Sequence, residues 1–398
     1  MSNNELHYLS AKTFRGLEEI LAEELKELGA SDIEIKRRAV TFRGDNELMY
    51  KACLHLRTAL RVHMILFHFE AEDAEDLYDG IAEYDWSYWI NPEQTIAVDS
   101  VVHSRYFTHS RFAALKAKDA IVDRVRTKYK KRPDIDVENP DYRIQLRIDE
   151  NFVELSLDAS GDSLHKRGYR SAKVTAPLNE VLAAGMLNLA GYKGERDFAD
   201  PFCGSGTLVL EAAMLAANKA PGLIRIKNGK FGFQKWKDFD LDTWERVVEN
   251  AKAAEMIPEV NLIASDMEPK AIRASKENAL MAGVLDYIQF VKGNALESTA
   301  PSEKGLLVTN PPYGERLESE FLDILYGDFG TRLKHFWPGW DAWIISSNRE
   351  ALKSVGLKTA RRLELFNGAI SCKFHHYELY KGSKKMKSGE KEINENKD

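Results

Sequence analysis

From residue 198 onward, short apolar runs alternate with amphipathic stretches, and no other feature of the 398-residue chain constrains its fold as tightly. Phe198–Phe202, Asn261–Ser265, Tyr287–Val291, Gly305–Thr309 and Asp341–Ser346 read as strands, with Thr207–Asn218, Pro269–Ala282 and Leu317–Phe336 as helices between them. Parallel strands need long crossovers, usually helical, so the alternation predicts a doubly wound α/β sheet. Arg361–Phe366 and Ser371–Tyr380 follow each other without a helix and predict an antiparallel hairpin that closes it.

The upstream half has a different texture. Helix Leu17–Leu28 sits among β-like runs at Ile33–Ile35 and Ala39–Phe42, a small α+β unit. A second such unit spans 55–155, with strands at Thr95–Val102 and Asp141–Asp149 around a helix from Arg111 to Lys131. Ala114, Ala117, Ile121, Val125 and Tyr129 form its apolar stripe. A chain of this length is expected to make two or three domains, and 44% hydrophobic with 30% charged residues excludes wholesale disorder. The first twenty residues lack a secretory pattern, and the longest charge-free apolar stretch, Val181–Tyr192, is too short to span a bilayer. Cys53, Cys203 and Cys372 lie far apart with no metal spacing, so the expectation is a reduced, cytoplasmic protein without a metal. The polar stretch 381–398 reads as a tail.

Net charge is −6, which taken whole argues against a nucleic-acid partner. The charge is blocked, however. Glu70–Asp99 carries −10, and His103–Arg132 carries +8. The basic side chains fall mostly off the apolar stripe: Lys116, Lys118, Arg124, Lys128, Lys130, Lys131 and Arg132 are candidate phosphate contacts, as are Lys166, Arg167 and Arg170 in the segment HKRGYR. The competing reading is a solvated helix face answered by the acidic block, or a hinge paired with the protein body.

Three motifs carry chemistry. Asp200-Pro-Phe-Cys-Gly-Ser-Gly-Thr207 ends a strand and opens a helix; Gly204 and Gly206 permit a tight turn against a ligand. Val209 replaces the third glycine of a dinucleotide site and no phosphate-loop Lys follows, so the ligand lacks a pyrophosphate. Asp266 ends the next strand, where a carboxylate can accept both ribose hydroxyls or serve a helix start. Asn294 follows the third. Asn310-Pro-Pro-Tyr313 follows the strand GLLVT. An Asn carbonyl and a proline carbonyl can both accept from one exocyclic amine, favouring a pyramidal, nucleophilic nitrogen. Tyr313 offers a face on which an extruded base can stack.

In this order the motifs resemble the class I S-adenosylmethionine-dependent methyltransferases of the amino-group type. The resemblance implies cofactor contacts from Asp200, Phe202, Cys203, Gly204, Ser205, Gly206, Thr207, Asp266, Met267, Asn294 and Ala295. Thr175 and Pro177, in the segment TAPLNE, would close over the cofactor, and Asn310, Pro311, Pro312 and Tyr313 would hold the target amine. Asn294 stands where related enzymes often have Asp.

Phe112–Arg126, Arg132–Asp136 and Ser156–Arg170 extend the likeness to the THUMP-containing guanine-N2 methyltransferases of 23S ribosomal RNA. That family implies a ferredoxin-like unit at 1–54, a THUMP RNA-binding domain at 55–160, a linker at 161–172 and a Rossmann-like catalytic domain at 173–380. It also implies RNA, as 23S rRNA or a large-subunit assembly intermediate, as partner. No second methyltransferase unit is expected in the eighteen residues after Tyr380. The alternatives are adenine-N6 methylation of DNA or RNA, guanine-N2 methylation of tRNA, a small-molecule or protein amine as acceptor, and a non-catalytic RNA-binding assembly factor.

Overall fold

The computed structural model describes residues 6–170, 178–229, 231–312 and 319–381. Two compact units divide the chain: residues 1–168 with 220–254, and residues 169–219 with 255–398.

The first unit opens with β1 (His7–Lys12), α1 (Glu18–Glu27), β2 (Ser31–Lys36), β3 (Ala39–Gly44), α2 (Asn46–His55) and β4 (Arg61–Glu70). It continues with α3 (Ala74–Glu83), β5 (Thr95–His103), α4 (Ser110–Tyr129), β6 (Asp134–Ile135), β7 (Tyr142–Asp149) and β8 (Phe152–Asp158). One eight-stranded sheet results, in the order β2-β3-β1-β4-β8-β7-β5-β6. The ten-residue β4 makes it continuous: its first residues pair with β1, and His63–Glu70 pairs with β8 across a register shift between Ile65 and Phe67. Asp45 and Asp73 cap α2 and α3 by accepting first-turn amides.

On α4 the buried stripe is Ala113, Ala117, Ala120, Ile121 and Val125. Ala114 is half-buried and Tyr129 is 41% exposed, contrary to the sequence expectation. The helix ends at Tyr129, where Lys130 turns left-handed (φ 60°), so that ring lies past the last turn the core can cover.

The second unit contains α5 (Glu180–Leu189), β9 (Asp197–Asp200) and α6 (Thr207–Ala216). The chain then supplies α7 (Gly222–Asn228) and α8 (Leu241–Ala253) to the first unit. Phe231, Phe233, Trp236, Trp244, Val247 and Ala251 join one apolar cluster with Tyr50, Trp89 and Tyr142. Trp244 meets Tyr50, Phe231 and Phe233 edge-on at 5.1–6.0 Å. Lys219 and Glu255, at the two ends of the excursion, form an ion pair of 2.8 Å. In sequence, 220–254 reads as part of the catalytic stretch; in space it completes the core of the amino-terminal unit.

The second unit resumes with β10 (Leu262–Asp266), α9 (Pro269–Ala282), β11 (Ile288–Lys292), β12 (Gly305–Thr309), α10 (Ser319–Phe336), β13 (Trp340–Ser346), α11 (Arg349–Ser354), β14 (Arg361–Asn367) and β15 (Ile370–Glu378). The sheet order is β11-β10-β9-β12-β13-β15-β14. The first five strands are parallel; β15 enters antiparallel beside β13 and pairs with β14 as the expected hairpin. The order reverses at β9, which places a crevice at the carboxyl ends of β9, β10 and β12, where such sheets bind ligands.

Candidate active site

The turn after β9 is built for close approach. Gly206 has φ +87° and caps α6; a Cβ there would fall 2.2 Å from Ser275 Oγ. Gly204 has φ +52°, and the space beside it is open. The two glycines therefore differ in purpose: Gly206 lets the turn pack on α9, and Gly204 bares backbone to a ligand. The turn is held from both sides. Cys203 N donates to Ser265 O at 3.0 Å, and Asn278 Nδ2 donates to Ser205 O at 2.9 Å.

Asp266 is half-buried and accepts the amides of Gly204 (3.0 Å) and Glu268 (2.9 Å), one on each oxygen. It thus supports the turn and the start of α9 together. Each carboxylate oxygen keeps a lone pair for a ribose hydroxyl. Met267 beside it is 63% exposed, an apolar surface free to cover a base. Asn294 spends its Oδ1 on Leu296 N (3.0 Å), and Ala295 is buried.

Asp200 is buried, and Oδ1 accepts from Thr309 Oγ1 (2.7 Å) and Phe202 N (3.2 Å). Burial pushes its carboxyl up to about 7 against these two donors, and the nearby Asp266 adds to the rise. Burial also pushes the Cys203 thiol up, and Cys372 lies buried in β15. Among the described residues no group of His, Cys, Asp or Glu is arranged to hold a metal ion, and no helix is long and apolar enough to cross a membrane.

At the end of β12, Asn310 Oδ1 is buried and accepts no hydrogen bond among the described residues. Leaving such a carbonyl unmade costs about 1–3 kcal/mol, a cost expected where a ligand supplies the missing donor. Pro311 is buried and Pro312 exposed. Tyr326 Oη lies 3.4 Å from the Pro312 carbonyl oxygen and 3.0 Å from Ser346 Oγ, so its single proton serves one of the two at a time. Thr175, Pro177 and Tyr313 lie outside the described residues.

The basic residues sort less evenly than their sequence suggests. Arg167 is only 2% exposed and donates to the carbonyls of Leu164 and Arg57, so it serves the fold of the first unit rather than a surface. Arg170 binds Glu180, the Leu178 carbonyl and Thr207 Oγ1, which ties the segment before α5 to the first residue of α6. Neither side chain is presented to a phosphate as expected. Lys166 is exposed but pairs with Asp162 at 3.1 Å. Side chains of the acidic segment meet several of these cations: Lys116 lies over the Tyr78 ring, Lys128 donates to Ser87, and Lys131, just past α4, pairs with Glu93. Lys118 pairs with Asp119, and Lys130 reaches its own helix at Thr127 O. Arg124 and Arg132 stay exposed with no ion pair among the described residues.

Thr309, Asn278 and Tyr326 are neighbours of the site that sequence reasoning missed. Thr309 is the last residue of an apolar strand, and nothing in its local pattern marks the hydroxyl as engaged.

Sheet order, glycine turn, strand-end acid and Asn-Pro-Pro turn together define a class I methyltransferase. The chain belongs to the RMKL-like methyltransferase family, whose domain model matches residues 167–376. A THUMP domain matches residues 71–158, and the RlmL ferredoxin-like domain matches 8–63. Ribosomal RNA large subunit methyltransferase K/L of Syntrophotalea carbinolica is 41% identical over 92% of this chain and 52% of its own length. The chain thus spans about half of that relative. A Synechocystis protein named provisionally as an RNA methyltransferase is 40% identical over 93% of this chain and 96% of its own. Among solved structures, SMU.472, described provisionally as a methyltransferase and complexed with SAH, superposes with a TM-score of 0.85 at 26% identity, covering 95% of this chain and all of that one. S-adenosyl-L-methionine is the cofactor, and the residues present fit it: open space beside Gly204 and lone pairs left on Asp266.

Proposed function

We propose that the chain methylates the exocyclic N2 amine of a guanine in ribosomal RNA, with 23S rRNA or a large-subunit assembly intermediate as substrate. Among the described residues Asn310 Oδ1 is buried without a hydrogen-bond partner, and this carries the reading. The names of the K/L relatives support the RNA, and the matched THUMP domain supports an RNA partner.

The turn Asp200–Thr207, with Asp266, Met267, Asn294 and Ala295, would hold the cofactor, which supplies an electrophilic methyl group. Asn310 Oδ1 and the Pro311 carbonyl would accept the two amine hydrogens. Two acceptors pull the nitrogen lone pair out of conjugation and aim it at the methyl carbon. They also stabilise the positive charge that grows on nitrogen, and both are in place before reaction. The proton then leaves a strongly acidic nitrogen for water, so no strong base is needed. Tyr313 would stack on the flipped base. Cys203, with its thiol pushed up by burial, is unsuited to a covalent step, which supports direct transfer.

Incubating the protein with labelled cofactor and undermodified ribosomal RNA, tRNA or duplex DNA tests the reading. Label in N2-methylguanosine of large-subunit RNA is expected; label confined to adenine N6, or to DNA, would replace it.

A further inference from the structure

We infer that Thr309 is a positioning residue for methyl transfer: its hydroxyl fixes the Asn310 turn against the cofactor turn by hydrogen-bonding Asp200. The inference rests on the amine-binding role proposed for Asn310.

The backbone explains why such a link is needed. The ladder between β12 and β9 runs through Gly305–Asp197 and Leu306–Phe198, and its last pair is Leu307–Ala199. Beyond that pair the two strands carry different loops, one built around the glycine turn and one around Asn310. On the other side β12 stays paired with β13 as far as Thr309–Ile344, and Tyr326 bridges Pro312 to Ser346. The strand leading into Asn310 is therefore paired with β13 by main chain as far as Thr309, while toward β9 the ladder has already ended. The Thr309 Oγ1 to Asp200 Oδ1 bond, at 2.7 Å between two buried side chains, spans that gap. Asp200 Oδ1 also accepts Phe202 N, so one oxygen joins the residue before Asn310 to the backbone of the cofactor turn. Thr is stiff at χ1, which keeps the hydroxyl aimed. Acceptor and methyl donor must be aligned to a fraction of an ångström for in-line transfer, so a link of this kind acts on rate more than on RNA affinity.

Thr309→Val keeps the branched shape and deletes the hydroxyl; Thr309→Ser keeps the hydroxyl and deletes the methyl. S-adenosylhomocysteine affinity by calorimetry and turnover on undermodified ribosomal RNA are measured for both, beside thermal melts. For the Val variant a several-fold weaker Kd is expected, roughly 3- to 10-fold for one lost hydrogen bond. Its kcat should fall by about tenfold or more with KM for RNA near that of the wild type. The Ser variant should recover both. A Val variant whose Kd stays within about twofold of the wild type, or a Ser variant as impaired as Val, overturns the inference. Should the wild type transfer no methyl to RNA, the substrate proposal fails, while the Kd comparison still decides the role of Thr309.

Discussion

The amide of Gly204 donates to Oδ2 of Asp266 at 3.0 Å, while Oδ1 of the same carboxylate accepts from Glu268 N at 2.9 Å. A side chain assigned to ribose is thus also the buttress of the glycine turn. One carboxylate braces the glycine turn and the start of α9 together, sixty-two positions from the glycine it holds.

Asp266→Ala should therefore weaken cofactor binding beyond the loss of ribose contacts. Charged hydrogen bonds are worth about 1.5–3 kcal/mol, so Kd for S-adenosylhomocysteine should rise by roughly ten- to a hundredfold. Calorimetry reads this directly, and an unchanged Kd would remove Asp266 from the site.

Asp200 predicts a pH signature. Its buried carboxyl titrates at about 7 in the folded protein, above an unfolded value of about 3.9. Between these values the folded state binds more protons than the unfolded one, so stability contributed by Asp200 falls as pH rises and levels off above about 7. Asp200→Asn has no proton to lose. Without cofactor, the melting temperature of the wild type relative to Asp200→Asn should decline from about pH 5 to about pH 7.5; parallel profiles would contradict the assignment.

Trp244, contributed by the excursion 220–254, is 4% exposed among Tyr50, Phe231 and Phe233. Truncating a buried Trp costs about 3–5 kcal/mol. Urea denaturation of Trp244→Ala should show that loss in the transition of the amino-terminal unit, and a fragment ending at residue 168 should fail to fold cooperatively. A stable, two-state 1–168 fragment would show that the aromatic cluster is dispensable.

Arg124, on α4, and Arg132, just past its end, are exposed basic side chains with no ion pair among the described residues. Replacing both with Glu should weaken RNA binding and flatten its salt dependence by about 0.7–0.9 for each phosphate no longer neutralised. Replacing Lys131, already paired with Glu93, should do less. Equal effects at all three would favour a diffuse field over specific contacts.

The catalytic sheet was legible because its cues are local: strand length, glycine turn, acid at a strand end, prolines that stop a strand. Gly305–Thr309 and Pro269–Ala282 coincide with the sequence reading to the residue. The destination of 220–254 was not legible, since Trp244 and Phe233 find their partner in Tyr50, nearly two hundred positions away. Arg167 and Arg170 misled for the opposite reason. Cationic residues in a loop read as surface charge, but these spend their donors on carbonyls and on Glu180. The blocks of −10 and +8 were visible, while which lysines the acidic block neutralises depended on α3 and its loop lying against α4.

The most direct measurement is methyl transfer by wild type and Asn310→Ala to undermodified large-subunit RNA, with the product nucleoside identified by mass spectrometry. The expected result is N2-methylguanosine from the wild type and a kcat lower by about a hundredfold or more in Asn310→Ala, with S-adenosylhomocysteine affinity within about twofold. Undiminished turnover by Asn310→Ala, or a product methylated on adenine, would contradict the assignment of Asn310 to a guanine amine.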